Sequence, residues 1–258
     1  MNRELLYSGS FYPKSREDID SFISLNSDKK KMMDGLRGII LPHAGWIYSG
    51  ITALKGLSNR PNEKIVRIYL IGPSHRFNFS GVALSRFTKY ETVDSEFYLD
   101  KSTEEQLLNI ENVSVVDDAH LYEHSLEVHL EFIKKIYPDV KLIPIVAGRN
   151  SIKPLTEILN RSLNEDNSLT ILSSDLSHYM PYDEAQKTDK NTIQKILKCS
   201  NHLDYNDACG SSIINAFIEI NKTENYKIEL FDYRNSGDTA GDKLSVVGYC
   251  SMGIIKNG

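Results

Sequence analysis

Apolar and polar positions alternate along this chain in blocks of two kinds. The first kind is a near-continuous apolar run of strand length: "LRGIIL" (36–41), "IVRIYLIG" (65–72), "SGVALS" (80–85), "VKLIPIVAG" (140–148), "SLTILSS" (168–174), "YKIELFDY" (226–233) and "LSVVGYCSMGII" (244–255). Runs this short with no polar face predict strands buried on both sides of a sheet. The second kind has apolar residues at three- and four-residue spacing, which predicts helices with one buried stripe. "REDIDSFISLNS" (16–27) carries Ile19, Phe22 and Ile23 in this way. "SGITALKGLS" (49–58), "KPLTEILNRSLN" (153–164) and "NTIQKILKCS" (191–200) follow the same spacing. "LYEHSLEVHLEFIKKIY" (121–137) predicts one long amphipathic helix ended by Pro138.

Strands alternating with helices predict an α/β fold, a three-layer α/β/α sandwich. The last two runs lie close together in sequence and suit an antiparallel pair, so the sheet is expected to be mixed. The breaks "SNRPNEK", "GRNSIKP", "NEDNS" and "NKTEN" are short polar loops rather than linkers, which predicts a single domain over residues 1–258. No internal repeat or low-complexity segment interrupts this organisation.

Composition narrows the function classes. Of 258 residues, 40% are apolar and 25% charged, ordinary for a globular protein with a sizeable core. A net charge of −5 leaves no basic footprint for nucleic acid. No apolar run approaches the roughly 20 residues of a membrane span, and the N-terminus lacks the apolar centre of a secretory leader. Cys199, Cys209 and Cys250 show no C-x-x-C spacing and one must stay unpaired, which points to a reduced, cytoplasmic setting.

Three of the apolar runs end in turns that carry a histidine. "GIILPHAG" delivers His43, "IYLIGPSH" delivers His75, and "LTILSSDLSH" delivers Asp175 and His178. In α/β sheets sites gather outside the carboxyl ends of strands, so residues far apart in sequence can meet there. Pro42 and Pro73 stiffen two of these turns. A fourth segment, "YRNSGDTAGDK" (233–243), is too polar for a core and supplies Asp238 and Asp242. Taken alone it reads as a hairpin loop, and it lacks the spacing of a phosphate-binding loop. Two histidines and one carboxylate form the facial set of non-haem Fe(II) sites, and His43, His75 and Asp238 are candidates for it. His178 would then act as acid/base, oriented by Asp175. Zinc sites use similar donors, so donor types alone do not name the metal.

The helix "DAHLYEHSLEVHL" offers a rival set. His120, His124 and Glu127 recur at i, i+4 and i+7, but no glutamate follows the first histidine as in H-E-x-x-H. A plain polar helix face explains the same spacing. The intermediate reading has Glu123, His124 and Glu127 supporting the site. Trp46 and Tyr48, after His43, either pack or wall a pocket.

"YSGSFYP", "LPHAGWIYSG", "IGPSH" with "SGVALS", "EHSLEVHL", "SSDLSHY" and "NSGDTAGDKLSVVGY" together resemble, in order, the signature segments of the Memo family. The resemblance runs from about Tyr7 to Gly253. It implies a fold related to class III extradiol dioxygenases, which hold non-haem Fe(II) with two histidines and a carboxylate and use a further histidine as acid/base. His43 matches the family's "PHAG" histidine, His75 that of "GPSH", and Asp175 and His178 the "SSD" segment and its histidine. In animal Memo proteins a cysteine in the loop before the final strand completes the site, and copper or iron binding with redox activity is attributed to them, as is phosphotyrosine-peptide binding. Prokaryotic relatives belong to the AmmeMemoRadiSam group. "NSGDTAGD" has no cysteine, so the resemblance gives Asp238 weight in its place.

The leading expectation is a metal-dependent redox enzyme with Fe(II) or copper on His43, His75 and Asp238, acting on a small molecule. The alternatives are a binding module that holds an anionic or phosphotyrosine peptide in a vestigial site, and a zinc-dependent hydrolase.

Overall fold

The computed structural model describes residues 1–257, so the last residue of the expected 1–258 domain lies outside the described part. Its centre is an eight-stranded sheet. The strands are β1 (Leu36–Leu41), β2 (Arg67–Pro73), β3 (Val82–Leu84), β4 (Val113–Val115), β5 (Lys141–Ala147), β6 (Ser168–Ser173), β7 (Tyr226–Asn235) and β8 (Gly248–Lys256). They lie in the order β7-β8-β1-β6-β2-β5-β3-β4. The core of the sheet is parallel: Ile40 of β1 registers with Leu172 of β6, Leu172 with Ile71 of β2, and Ile71 with Ile145 of β5. Both flanks turn antiparallel, β8 against β1 and β7 against β8 on one side, β3 against β5 on the other. The sheet is therefore mixed, and the late pair forms as its sequence spacing predicts.

The helices are α1 (Arg16–Asn26), α2 (Trp46–Ser58), α3 (Lys101–Leu107), α4 (Asp117–Leu121), α5 (His124–Glu127), α6 (Leu130–Ile136), α7 (Ile152–Asn164), α8 (Tyr182–Lys198) and α9 (Ser211–Asn221). Alternate residues of each central strand face opposite ways. Ile40, Ile71 and Leu172 pack with Leu155 and Ile158 of α7, Ile196 of α8 and Phe217 of α9. Ile39, Leu41, Ile68 and Leu70 pack on the other face with Ile19 of α1, Leu54 and Leu57 of α2 and Phe132 of α6. This is the expected three-layer α/β/α sandwich. Each fully buried Leu, Ile or Phe contributes roughly 1.5–3 kcal/mol relative to exposure, which explains why unbroken apolar runs become central strands. In α2 the lack of a side chain at Gly56 lets the helix lie on the sheet, since a Cβ there would sit 2.5 Å from Leu41 Cδ2.

Three departures from the sequence expectation have physical causes. The helix expected over 121–137 is broken into pieces, because Glu123 is extended (φ −92°, ψ 122°) and caps α5 by accepting from Ser125 N. The α9 helix escapes periodicity because its sequence, "SSIINAFIEIN", is apolar nearly all round and correspondingly buried. The strand expected from Leu244 starts only at Gly248; Leu244 itself is 82% exposed.

Candidate metal centre

Strands β1, β6 and β2 are adjacent and parallel, so their carboxyl ends share one edge of the sheet. His43 follows β1, His75 follows β2, and Ser173 ends β6. The broken helix brings His124, the first residue of α5, to the same place. Ring centroids lie 5.1 Å apart for His43 and His75, 5.5 Å for His43 and His124, and 4.6 Å for His75 and His124. One ring nitrogen from each of the three lies within 4.8 Å of the other two, a spacing that can hold a metal ion. Tyr7 and Phe11 of the N-terminal arm close over His124, with ring centroids 5.7 and 4.9 Å away.

The hydrogen bonds around these rings decide which nitrogens are free. Ser173 Oγ donates to the Ser125 carbonyl at 2.7 Å. Its lone pairs therefore accept from His43 Nδ1 at 2.7 Å and from His129 Nε2 at 2.9 Å. His43 is thus protonated on Nδ1, and its Nε2 keeps a lone pair. His75 Nδ1 lies 2.9 Å from Glu123 Oε1, and a carboxylate only accepts, so this ring too presents Nε2. Glu123 also accepts from the His75 backbone N–H at 2.6 Å, fixing the turn as well as the ring. Imidazole ligands are commonly held this way, by a carboxylate or hydroxyl on the far nitrogen. His124 Nδ1 is buried and lies 3.3 Å from Glu123 Oε1 without a hydrogen bond, and His129 Nδ1 is buried with no partner. A buried imidazole nitrogen left without a hydrogen bond beside two other imidazoles fits a metal ion.

Electrostatics point the same way. Burial, reinforced by the neighbouring His75 and His124 rings, holds His43 well below the usual imidazole range. Burial followed by repulsion from His75 lowers His124 to about 4, with Arg76 acting in the same direction. These rings are neutral at pH 7, the form that ligates a metal. Burial pushes Glu123 up, but its hydrogen bonds from His75 prevail and hold it at about 2, so it stays ionised. Burial lifts Asp175 to about 6 against the opposing pull of His178 and the His43 N–H.

Several of the expected site residues sit in other surroundings. Asp238 does not join the imidazoles. Its carboxylate accepts from Asn235 N at 2.9 Å, completing a capping box in the turn after β7, and from the Tyr182 hydroxyl at 2.5 Å. The third side chain grouped with His43 and His75 is His124. Glu127 points away into the N-terminal arm, where it pairs with buried Arg3 and accepts from Leu6 N, Tyr7 N and Tyr12 Oη. Asp175 makes no hydrogen bond to the His178 ring among the described residues; it accepts from His43 N at 2.8 Å and so holds the strand-end turn. His178 is half-buried, and its charge bears on both His43 and Asp175. His120 is a core residue, its Nε2 donating to the Ala83 carbonyl and its Nδ1 accepting from Tyr90 Oη. Trp46 is buried and stacks on Phe132 with ring centroids 3.8 Å apart.

Two neighbours escaped sequence reasoning. His129 reaches the site through Ser173, and the helical spacing of 121–137 gave no hint of its direction because that helix is broken. Cys209 lies just before α9, its Sγ 3.4 Å from His43 Nε2. None of the three cysteines forms a disulfide. No helix among the described residues is long and apolar enough to cross a membrane.

Comparison with known proteins places this geometry in a family. The family described as Memo-like protein matches residues 3–253. A MEMO1 family protein of Aquifex aeolicus is 32% identical, over 97% of this chain and 98% of its own length. One from Archaeoglobus fulgidus is 31% identical, over 95% and 96%. A solved structure of an uncharacterized protein from Escherichia coli K12 superposes with a TM-score of 0.47 at 12% identity, covering 83% of this chain and 99% of that one, too distant for any argument.

Proposed function

The chain belongs to the Memo-like family, and from that premise we propose that it is a metal-dependent redox enzyme whose ion is held by His43, His75 and His124. The support is the approach of three imidazoles from three separate segments, two of them pre-set by hydrogen bonds to present Nε2. Iron or copper would supply one-electron chemistry and a place for a small substrate or oxygen to bind. Around that ion the chain's own groups divide the work. Ser173 and Glu123 hold two ligand rings in register. Asp175 anchors the His43 backbone. His178, half-buried and near enough for its charge to act on His43, would take or return a proton.

A second reading rests on one observation. The third donor is an imidazole and not the carboxylate of the facial Fe(II) set, and three histidines with an open position also suit zinc and a zinc-activated water. Elemental analysis of anaerobically purified protein tests the site. About one ion per chain is expected, retained in Asp238→Ala and lost in His43→Ala, His75→Ala and His124→Ala, with circular dichroism reporting the fold. Full metal content in the histidine variants would refute the ligand set. Oxygen uptake or ascorbate oxidation by the iron or copper form, absent in the zinc form, supports redox chemistry; ester hydrolysis by the zinc form alone selects the second reading.

A further inference from the structure

A cavity of about 540 Å³ opens beside the histidine cluster, with His75 on its wall. Arg76, Arg149, Phe77, Phe79 and Ser211 line it. Among the arginines of this chain, these two and Arg60, which does not line the cavity, stand apart. Arg3, Arg16, Arg37, Arg67, Arg86 and Arg234 each pair with a carboxylate. Arg161 donates to Gln106. Among the described residues, the Arg76 and Arg149 guanidinium groups have neither an ion-pair partner nor a hydrogen bond. In a protein of net charge −5, two unneutralised cations facing one cavity are a local reversal of sign. They come from different segments, Arg76 from the turn after β2 and Arg149 from the turn after β5, and the parallel pairing of those strands brings the turns together. The charge of Arg76 reaches the site itself, where it acts on His124.

We propose that Arg76 and Arg149 form an oxyanion-binding subsite that selects a small aromatic carboxylate or phosphate for the adjacent centre. The planar forks of two exposed arginines suit either group. Phe77 and Phe79, with ring centroids 6.4 Å apart, supply an apolar wall for the body of the ligand. With the anionic group on the arginines, the other end of such a molecule lies toward His75. The subsite deepens the metal-centre reading, on which it rests only for the fate of the bound molecule; anion capture itself needs no metal.

Calorimetric titration with benzoate, inorganic phosphate and neutral benzyl alcohol tests this, in low salt, on metal-loaded and chelator-treated protein. The expected result is binding of benzoate or phosphate, at least about tenfold tighter than benzyl alcohol and weakened by added salt. Arg76→Gln and Arg149→Gln should each weaken that binding about tenfold or more, Arg149→Lys less, with metal content unchanged. Tighter benzoate assigns the site to carboxylates, tighter phosphate to phosphates. Binding that is equal in the variants, equal for benzyl alcohol, or absent for both anions overturns the subsite. Arginine-dependent binding by a chain that takes up no metal would sink the metal-centre reading and leave the subsite standing; metal uptake without arginine-dependent binding would do the reverse.

Discussion

Ser173 Oγ, at the end of β6, accepts a hydrogen bond from His43 Nδ1, beyond the end of β1, over 2.7 Å. Its own proton is committed to the Ser125 carbonyl, so the bond runs in one direction only. The hydroxyl, which also accepts from His129 Nε2, thus sets the tautomer of the His43 ring.

Replacing it should therefore loosen the metal while sparing the fold. In Ser173→Ala, His43 loses its acceptor and can protonate Nε2 instead. Metal affinity should fall roughly 10- to 100-fold, the usual effect of removing an outer partner of a metal-bound histidine. Competition against a chelator of known affinity measures it; an unchanged constant would mean that the ring is held by packing alone.

Glu123→Gln tests the equivalent device on His75. The amide is nearly isosteric but uncharged, and it can accept one bond from the turn while losing the ion-stabilised one. A loss of metal affinity of about tenfold or more is expected. Glu127→Gln serves as the contrast, since that carboxylate faces the N-terminal arm.

In Glu127→Gln the damage should appear in stability. Arg3 is 1% exposed and would keep a buried charge whose partner has become neutral. Breaking such a pair costs on the order of 3–5 kcal/mol. Urea unfolding of the metal-free protein should show the drop, while the folded fraction still takes up metal at the wild-type ratio.

Acid should unfold the metal-free protein through its buried histidines. Burial lowers His120 to about 4 and His129 to about 3, whereas both titrate near 6.5 once unfolded. Below pH 6.5 the unfolded chain binds protons that the native state refuses, so the stability these rings confer is complete above that pH and is lost as pH falls toward 4 and then 3. Asp175, lifted by burial to about 6, works against this, being most favourable to the native state at low pH. His120→Gln keeps a donor toward Ala83 without the titration. Its unfolding free energy should fall with acid less steeply, by up to about 1.4 kcal/mol per pH unit between pH 6.5 and 4. An identical slope in the variant would show that His120 is protonated in the native state.

By itself the sequence determined the layers and the edge at which chemistry gathers. "LRGIIL", "IVRIYLIG" and "SLTILSS" are too apolar to lie anywhere but in a covered parallel sheet, and parallel strands put His43, His75 and Ser173 at one end. Tertiary structure alone decided the third imidazole. His124 reaches the cluster because Glu123 leaves helical geometry to bind His75, a contact between residues 48 apart that no local periodicity encodes. Asp238 looked equally available in the sequence, yet a nearby unpaired backbone N–H and a tyrosine hydroxyl claim its oxygens. Burial rewards apolar patterns that are written locally, so the fold is legible from the chain. A carboxylate goes to whichever donors the folded backbone leaves unsatisfied, and those exist only once the strands have paired.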